Sequence, residues 1–167
     1  MNINRPTIIT AYLGLGSNLA SPVEQIKSAR FAITAIQGVE ELDFSSLYNS
    51  LPMGHKDQPN YVNAVMAIST ELSALDLLHS LQQIENAHGR TRTCKRWESR
   101  TLDLDILMYG DQCINLPELV VPHPGIIDRA FVLYPWHEIA PKLTIPGIGN
   151  LSKLLADCST EGLKRLD

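Results

Sequence analysis

Asp103 and Asp105 are separated by one residue inside an apolar run, Leu102 to Tyr109, that reads as a β-strand. Alternate side chains on a strand share a face, so the two carboxylates project together, about 6.6 Å apart along the chain. Two anions so placed repel unless a cation lies between them, and their hard oxygens suit Mg²⁺, which clamps transferring phosphoryl groups in pairs of ions. Immediately before them, five of the 14 basic residues, Arg90, Arg92, Lys95, Arg96 and Arg100, fall between Gly89 and Arg100. Forked guanidinium donors beside a metal-binding pair are what a polyphosphate requires. Either feature alone describes a solvated surface; their adjacency points to binding of a nucleoside triphosphate. Trp97, inside the basic segment with no core to join, is suited to closing over a ligand.

A second group carries a different chemistry. Val62, Ala64, Met66 and Ile68 alternate with polar neighbours, which puts Tyr61 and Asn63 on the opposite face of their strand. If the four apolar residues face a core, Tyr61 and Asn63 share the open face with the aspartates. A ring beside an amide suits a flat heterocycle, the one by stacking and the other by paired hydrogen bonds. His123 and Arg129 are candidate phosphate contacts. Gly14-x-Gly16 after a strand has the start of a dinucleotide-binding turn, but Leu19 holds the third glycine position and no βαβ alternation follows, so that reading fails. His79, His88 and His137 lack metal-ligand spacing.

The elements that must position these groups follow from periodicity and caps. Ile8 to Leu15 reads as a buried strand, closed by a turn over 14–18. Ser21-Pro22-Val23-Glu24 supplies an N-cap, a proline for the first helical turn and a capping-box acid, and Ile26, Ala29, Ile33 and Ile36 then recur at helical spacing up to Gly38. Leu42, Phe44 and Tyr48 alternate on one strand, which a loop over 51–60 connects to the strand bearing Tyr61. A second helix starts at Ser73 and stops at Gly89. Strand, helix, strand, strand, helix, strand is the order of a ferredoxin-like α+β sandwich, an antiparallel sheet with helices on one face and the site on the other. The remainder, 110–167, is broken by prolines, with an apolar stretch over 126–139 and a short helix at Leu151–Ala156. No repeat or second domain boundary divides the chain, so residues 1–167 read as one domain.

Bulk properties agree. At 167 residues with 44% hydrophobic side chains, the chain can bury a core without disulfides. Its net charge of −4 argues against a surface for long nucleic acid. No run approaches the ~20 apolar residues of a membrane span, and the first residues lack the form of a signal peptide. Cys94, Cys113 and Cys158 are odd in number and widely spaced, so reduced thiols are expected, in keeping with a cytoplasmic protein; a monomer is also expected.

The segment from Gly89 through Arg-Thr-Leu-Asp-Leu-Asp105 resembles the signature of the 6-hydroxymethyl-7,8-dihydropterin pyrophosphokinase family of folate biosynthesis. Gly16-Ser17-Asn18-Leu19, Asp57 to Asn63, Gln82 with Glu85, Val121-Pro122-His123 and Arg129-Ala130-Phe131 resemble family positions in the same order, over about 11–141. The resemblance implies transfer of the diphosphate of ATP to the pterin hydroxymethyl group, with two Mg²⁺ ions on Asp103 and Asp105. It implies Arg90 and Arg100 at the phosphates in the transition state, Arg92, His123 and Arg129 on the ATP chain, and Gln82, Glu85 and Ile106 at the nucleoside. Tyr61 and Phe131 would sandwich the pterin, Asn63 would bond its edge, and Ser50, Pro52, Met53 and Trp97 would complete its pocket. Glu98-Ser99 stands where the family has a small residue and proline; Glu98 is expected to turn outward to Arg96, in a segment that is mobile until ligand binds. Two rivals stand beside this reading: a two-metal nucleotidyltransferase or phosphatase using the same aspartates, and a non-catalytic ferredoxin-like module binding RNA on its open sheet.

Overall fold

The computed structural model describes residues 5–52, 57–89 and 101–166. In chain order the elements are β1 (Ile9–Ser17), α1 (Pro22–Thr34), β2 (Val39–Phe44), β3 (Leu47–Ser50), β4 (Tyr61–Thr70), α2 (Ala74–Ala87), β5 (Asp103–Tyr109), β6 (Ile114–Asn115), β7 (Val120–Val121), α3 (Ala130–Ile139), β8 (Thr144–Ile145), β9 (Gly149–Asn150), α4 (Leu151–Ala156) and β10 (Lys164–Leu166). The main sheet runs β10-β3-β4-β1-β5, with β2 also on β4, and every pairing is antiparallel. Counting β2 and β3 as one interrupted strand, this is the expected ferredoxin-like sandwich.

Alternation builds the helix side. Ala11, Leu13 and Leu15 of β1, Val62, Ala64, Met66 and Ile68 of β4, and Leu104 and Ile106 of β5 meet Ile26, Ala29 and Ile33 of α1 and Leu77 and Leu81 of α2. Each large aliphatic side chain removed from water there contributes about 1.5–3 kcal/mol before entropy is counted. α2 starts as the sequence indicates, with Ser73 Oγ accepting from the Asp76 amide at 3.1 Å, and runs out at Gly89, whose φ of +80° favours glycine.

Four local expectations need correction. Ser21 does not cap α1: its backbone is left-handed (φ 61°, ψ 74°), whereas an N-cap hydroxyl reaches the first-turn amides from an extended residue. The strand over Leu42–Tyr48 is two strands, because Ser45 and Ser46 interrupt it; Ser45 keeps the register by donating its amide to Val65 O and accepting the Val65 amide on Oγ, both at 2.9 Å. β1 continues through Gly14 and Gly16 to Ser17 instead of turning. Finally, half of the second sheet face is covered. α3 lays Val132, Leu133 and Trp136 on Val65, Leu107 and Met108, with Ile145 and Leu151 behind. A bulge in β5 makes this possible: Tyr12 pairs with Met108 and Leu13 with Ile106, so Leu107 is extra and Leu107 and Met108 both join that second core.

Candidate active site

Because Leu13 and Leu15 face the helices, Gly14 and Gly16 face the other way, on a strand flanked by β4 and β5. Gly16 pairs with Asn63 on one side and Asp103 on the other; Gly14 pairs with Val65 and Asp105. Neither glycine has a positive φ, so it is the missing side chain that matters here. A Cβ on Gly14 would lie 3.3 Å from Leu107 Cδ2, and one on Gly16 3.3 Å from Asn63 Oδ1. Two adjacent outward positions without side chains leave a trough along β1, with Tyr61 and Asn63 on one bank and Asp103 and Asp105 on the other. It forms the floor of a cavity of about 220 Å³ that all four line, together with Ser50, Leu51, His123, Arg129 and Phe131.

On the first bank, Asn63 is buried (5% exposed) and its Nδ2 donates to Ser50 Oγ at 2.8 Å and to Tyr48 O at 3.5 Å. With its amine turned to the protein, its Oδ1 faces the lane above Gly16, where it can accept from a donor on a heterocycle edge. Tyr61 and Phe131 supply rings. Pro52, half-buried at the start of the connecting loop, does not line the cavity.

The second bank is charged. Asp103 and Asp105 are half-buried carboxylates on one face of β5. His123 Nε2 stands 3.9 Å from Asp105 Oδ1, and His123 Nδ1 accepts the Gly125 amide at 3.1 Å. Burial pushes the imidazole below its ordinary value and the Arg129 charge adds to this, while Asp103 pulls the other way. A neutral ring whose Nδ1 lone pair is occupied carries its proton on Nε2, as a donor toward the cavity. The edge of β5 is closed on both sides of these groups: the Leu104 amide donates to Glu85 Oε2 at 3.2 Å, and the His123 amide donates to Leu107 O at 3.1 Å.

Two contacts tie the ends of the site together. Ser17, fully buried at the end of β1, donates its hydroxyl to Thr101 O, where the basic segment rejoins the sheet. Next to it, Asn18 Nδ2 donates to Pro59 O at 3.1 Å, holding the loop that leads to Tyr61.

A model of the 7,8-dihydro-6-hydroxymethylpterin-pyrophosphokinase family matches residues 12–141, which contain every wall of this cavity. The chain belongs to this family. It is 50% identical over 155 residues to a 2-amino-4-hydroxy-6-hydroxymethyldihydropteridine pyrophosphokinase of Pseudomonas aeruginosa, covering 93% of this chain and 95% of the relative. It is also 50% identical over 153 residues to the protein of that name from Haemophilus influenzae, covering 90% and 95%. Among solved structures, a Plasmodium falciparum HPPK-DHPS crystallised with pterin and p-hydroxybenzoate superposes with a TM-score of 0.76 over 98% of this chain and 48% of the other, at 13% identity. That identity shows a shared fold; this chain spans about half the length of that protein.

Within the family fold, the structure brings Asp103, Asp105, Ser50, Tyr61, Asn63, His123, Arg129 and Phe131 to one cavity. Ile106 points to the helix-side core and Glu85 is buried against the edge of β5, so these two, with Gln82 on the same helix, stand outside its walls. Met53, Arg90, Arg92, Trp97 and Arg100, and the expectations for Glu98 and for mobility of the basic segment, lie outside the described residues. Gly14, Gly16 and Gly125 are cavity residues that no site expectation included. Strand parity marks the first two, since they alternate with Leu13 and Leu15; nothing local marks the third.

Proposed function

We propose that the domain formed by residues 1–167 transfers the diphosphate of ATP to 6-hydroxymethyl-7,8-dihydropterin in a Mg²⁺-dependent reaction, acting as a cytoplasmic monomer on these two small molecules. The observation that carries the reading is the trough itself: a ring-and-amide bank and a dicarboxylate bank face each other across two glycines, within reach of one bound pair of substrates. The pterin would lie between Tyr61 and Phe131 with its edge on Asn63. Its hydroxymethyl oxygen would then point across the trough toward Asp103 and Asp105.

Two half-buried carboxylates on one strand face are hard oxygen donors, and the phosphates of ATP complete such a set, so the residues present fit magnesium. Bound there, two Mg²⁺ ions would offset charge on both sides of the transferred group. His123 and Arg129 would donate to the phosphate oxygens, and Arg90, Arg92 and Arg100 would extend that cradle. The pterin oxygen bonds to the β-phosphorus as the bridging P–O bond to the α-phosphate breaks; AMP leaves and the hydroxyl proton passes to solvent. Positioning and charge offset supply the catalysis, with no covalent intermediate on the protein.

Incubation with ATP, Mg²⁺ and 6-hydroxymethyl-7,8-dihydropterin should yield AMP and the pterin diphosphate, with no AMP when the pterin is omitted. Release of pyrophosphate or free phosphate instead would support a nucleotidyltransferase or phosphatase. An RNA-binding sheet needs an open platform, and α3 occupies half of this one.

A further inference from the structure

The cavity contains one residue whose chemistry is the absence of a side chain on the anion-binding side. Gly125 precedes the single turn Ile126–Asp128 and has φ −94° and ψ 9°, a conformation open to any L-residue. Backbone geometry therefore does not demand glycine there. Space does: a Cβ on Gly125 would lie 2.7 Å from Arg129 Cζ, 2.8 Å from Nη2 and 2.9 Å from Nε. All three distances are well inside carbon–heavy-atom contact. The guanidinium is a rigid plane at the end of a flexible side chain, so a methyl group meeting three of its atoms would displace the whole fork at little cost to the fold. The fork lies against the Gly125 backbone, and the Phe131 ring also faces it, 6.0 Å from Cζ to centroid. The same residue's amide donates to His123 Nδ1, which leaves Nε2 directed to the cavity near Asp105.

We infer that Gly125 is a positioning residue for the triphosphate: its bare backbone seats Arg129 and its amide orients His123, so that both cationic-side donors converge on one anion. This rests on the reading of ATP as the donor. It also makes Gly125 a determinant of nucleotide affinity that contributes no functional side chain.

The test is Gly125→Ala in the full chain. The substitution keeps the amide and the permitted backbone, so the melting temperature should stay at the wild-type value. KM for MgATP should rise about tenfold, the scale of one misdirected charged hydrogen bond, with kcat and KM for the pterin within twofold of wild type. Titration with the magnesium complex of α,β-methylene ATP should show the same loss. In an Arg129→Ala background, Gly125→Ala should cost nothing further, because the group it displaces is gone. Unchanged KM for MgATP in Gly125→Ala, or an equal loss with and without Arg129, overturns the seating role. Wild-type protein that does not bind the nucleotide analogue overturns the ATP reading, and this inference with it.

Discussion

One sheet presents two faces built by the same alternation, and among the described residues only one of them is covered along its whole length. On the helix side, inward positions of the three longest strands are aliphatic from Ala11 to Ile106, and two helices of 13 and 14 residues lie across them. On the other, α3 has ten residues, about 15 Å of helix, and it covers the stretch where Val65, Leu107 and Met108 offer apolar surface. Beyond it the outward positions include Gly14, Gly16, Tyr61, Asn63, Asp103 and Asp105. Burying the carboxylates under an apolar helix would cost several kcal/mol each, and the glycines offer nothing to pack. The cavity thus lies where covering the sheet would be unfavourable.

The largest effect that should separate the faces is on catalysis. Asp105→Ala should lower turnover by roughly three orders of magnitude, the scale of losing charge stabilisation at a transferring group, while leaving the melting temperature no lower than wild type. Near-normal turnover in saturating Mg²⁺ would remove the acidic bank from the chemistry. The mirror experiment is Leu81→Ala in the sealed core. Its side chain is fully buried, so urea unfolding should show a loss of about 2–5 kcal/mol, with KM unchanged for the molecules that remain folded. A shifted KM would mean that the helix side also shapes the trough.

A smaller effect is expected on the trough floor. Gly16→Ala places a methyl 3.3 Å from Asn63 Oδ1, in the lane assigned to the heterocycle, and should raise KM for the pterin about tenfold, or about 1.4 kcal/mol. KM for ATP should move less. Equal shifts for both substrates would break the division into two banks. The smallest concerns the joint between α3 and the sheet. Glu138 of α3 accepts from the Ser46 amide, Ser46 Oγ and Tyr48 Oη, each at 2.8 Å, at the break between β2 and β3. Burial pushes its carboxyl up, but these hydrogen bonds and Arg165 outweigh that and hold it below its ordinary 4.5. A lowered value stabilises the fold fully above pH 4.5, and the contribution is lost as pH falls through the folded value. Comparing urea midpoints at pH 7 and pH 3, Glu138→Gln should lack about 1 kcal/mol or less of the wild-type acid sensitivity; identical sensitivity would sever Glu138 from it.

Parity and caps determined a good deal from sequence alone. That Asp103, Asp105, Tyr61 and Asn63 share a face requires only that two segments be strands with their aliphatic residues turned to helices, and period-2 patterns carry that information locally. The limits of α2 are equally local, a serine hydroxyl at one end and a left-handed glycine at the other. Ser21 shows where such signals stop: the cap pattern is complete, yet the path of the chain from β1 into α1 imposes a backbone from which the hydroxyl cannot cap. The break at Ser45 is likewise set by what Val65 and Glu138 offer from other elements. Gly14 and Gly16 become a floor only once β4 and β5, distant in sequence, flank them with side chains; Gly125 meets Arg129 only four residues on, yet it is the conformation of that turn that brings the guanidinium back over it. A residue with no side chain acts through its neighbours, and neighbours distant in sequence are chosen by tertiary packing.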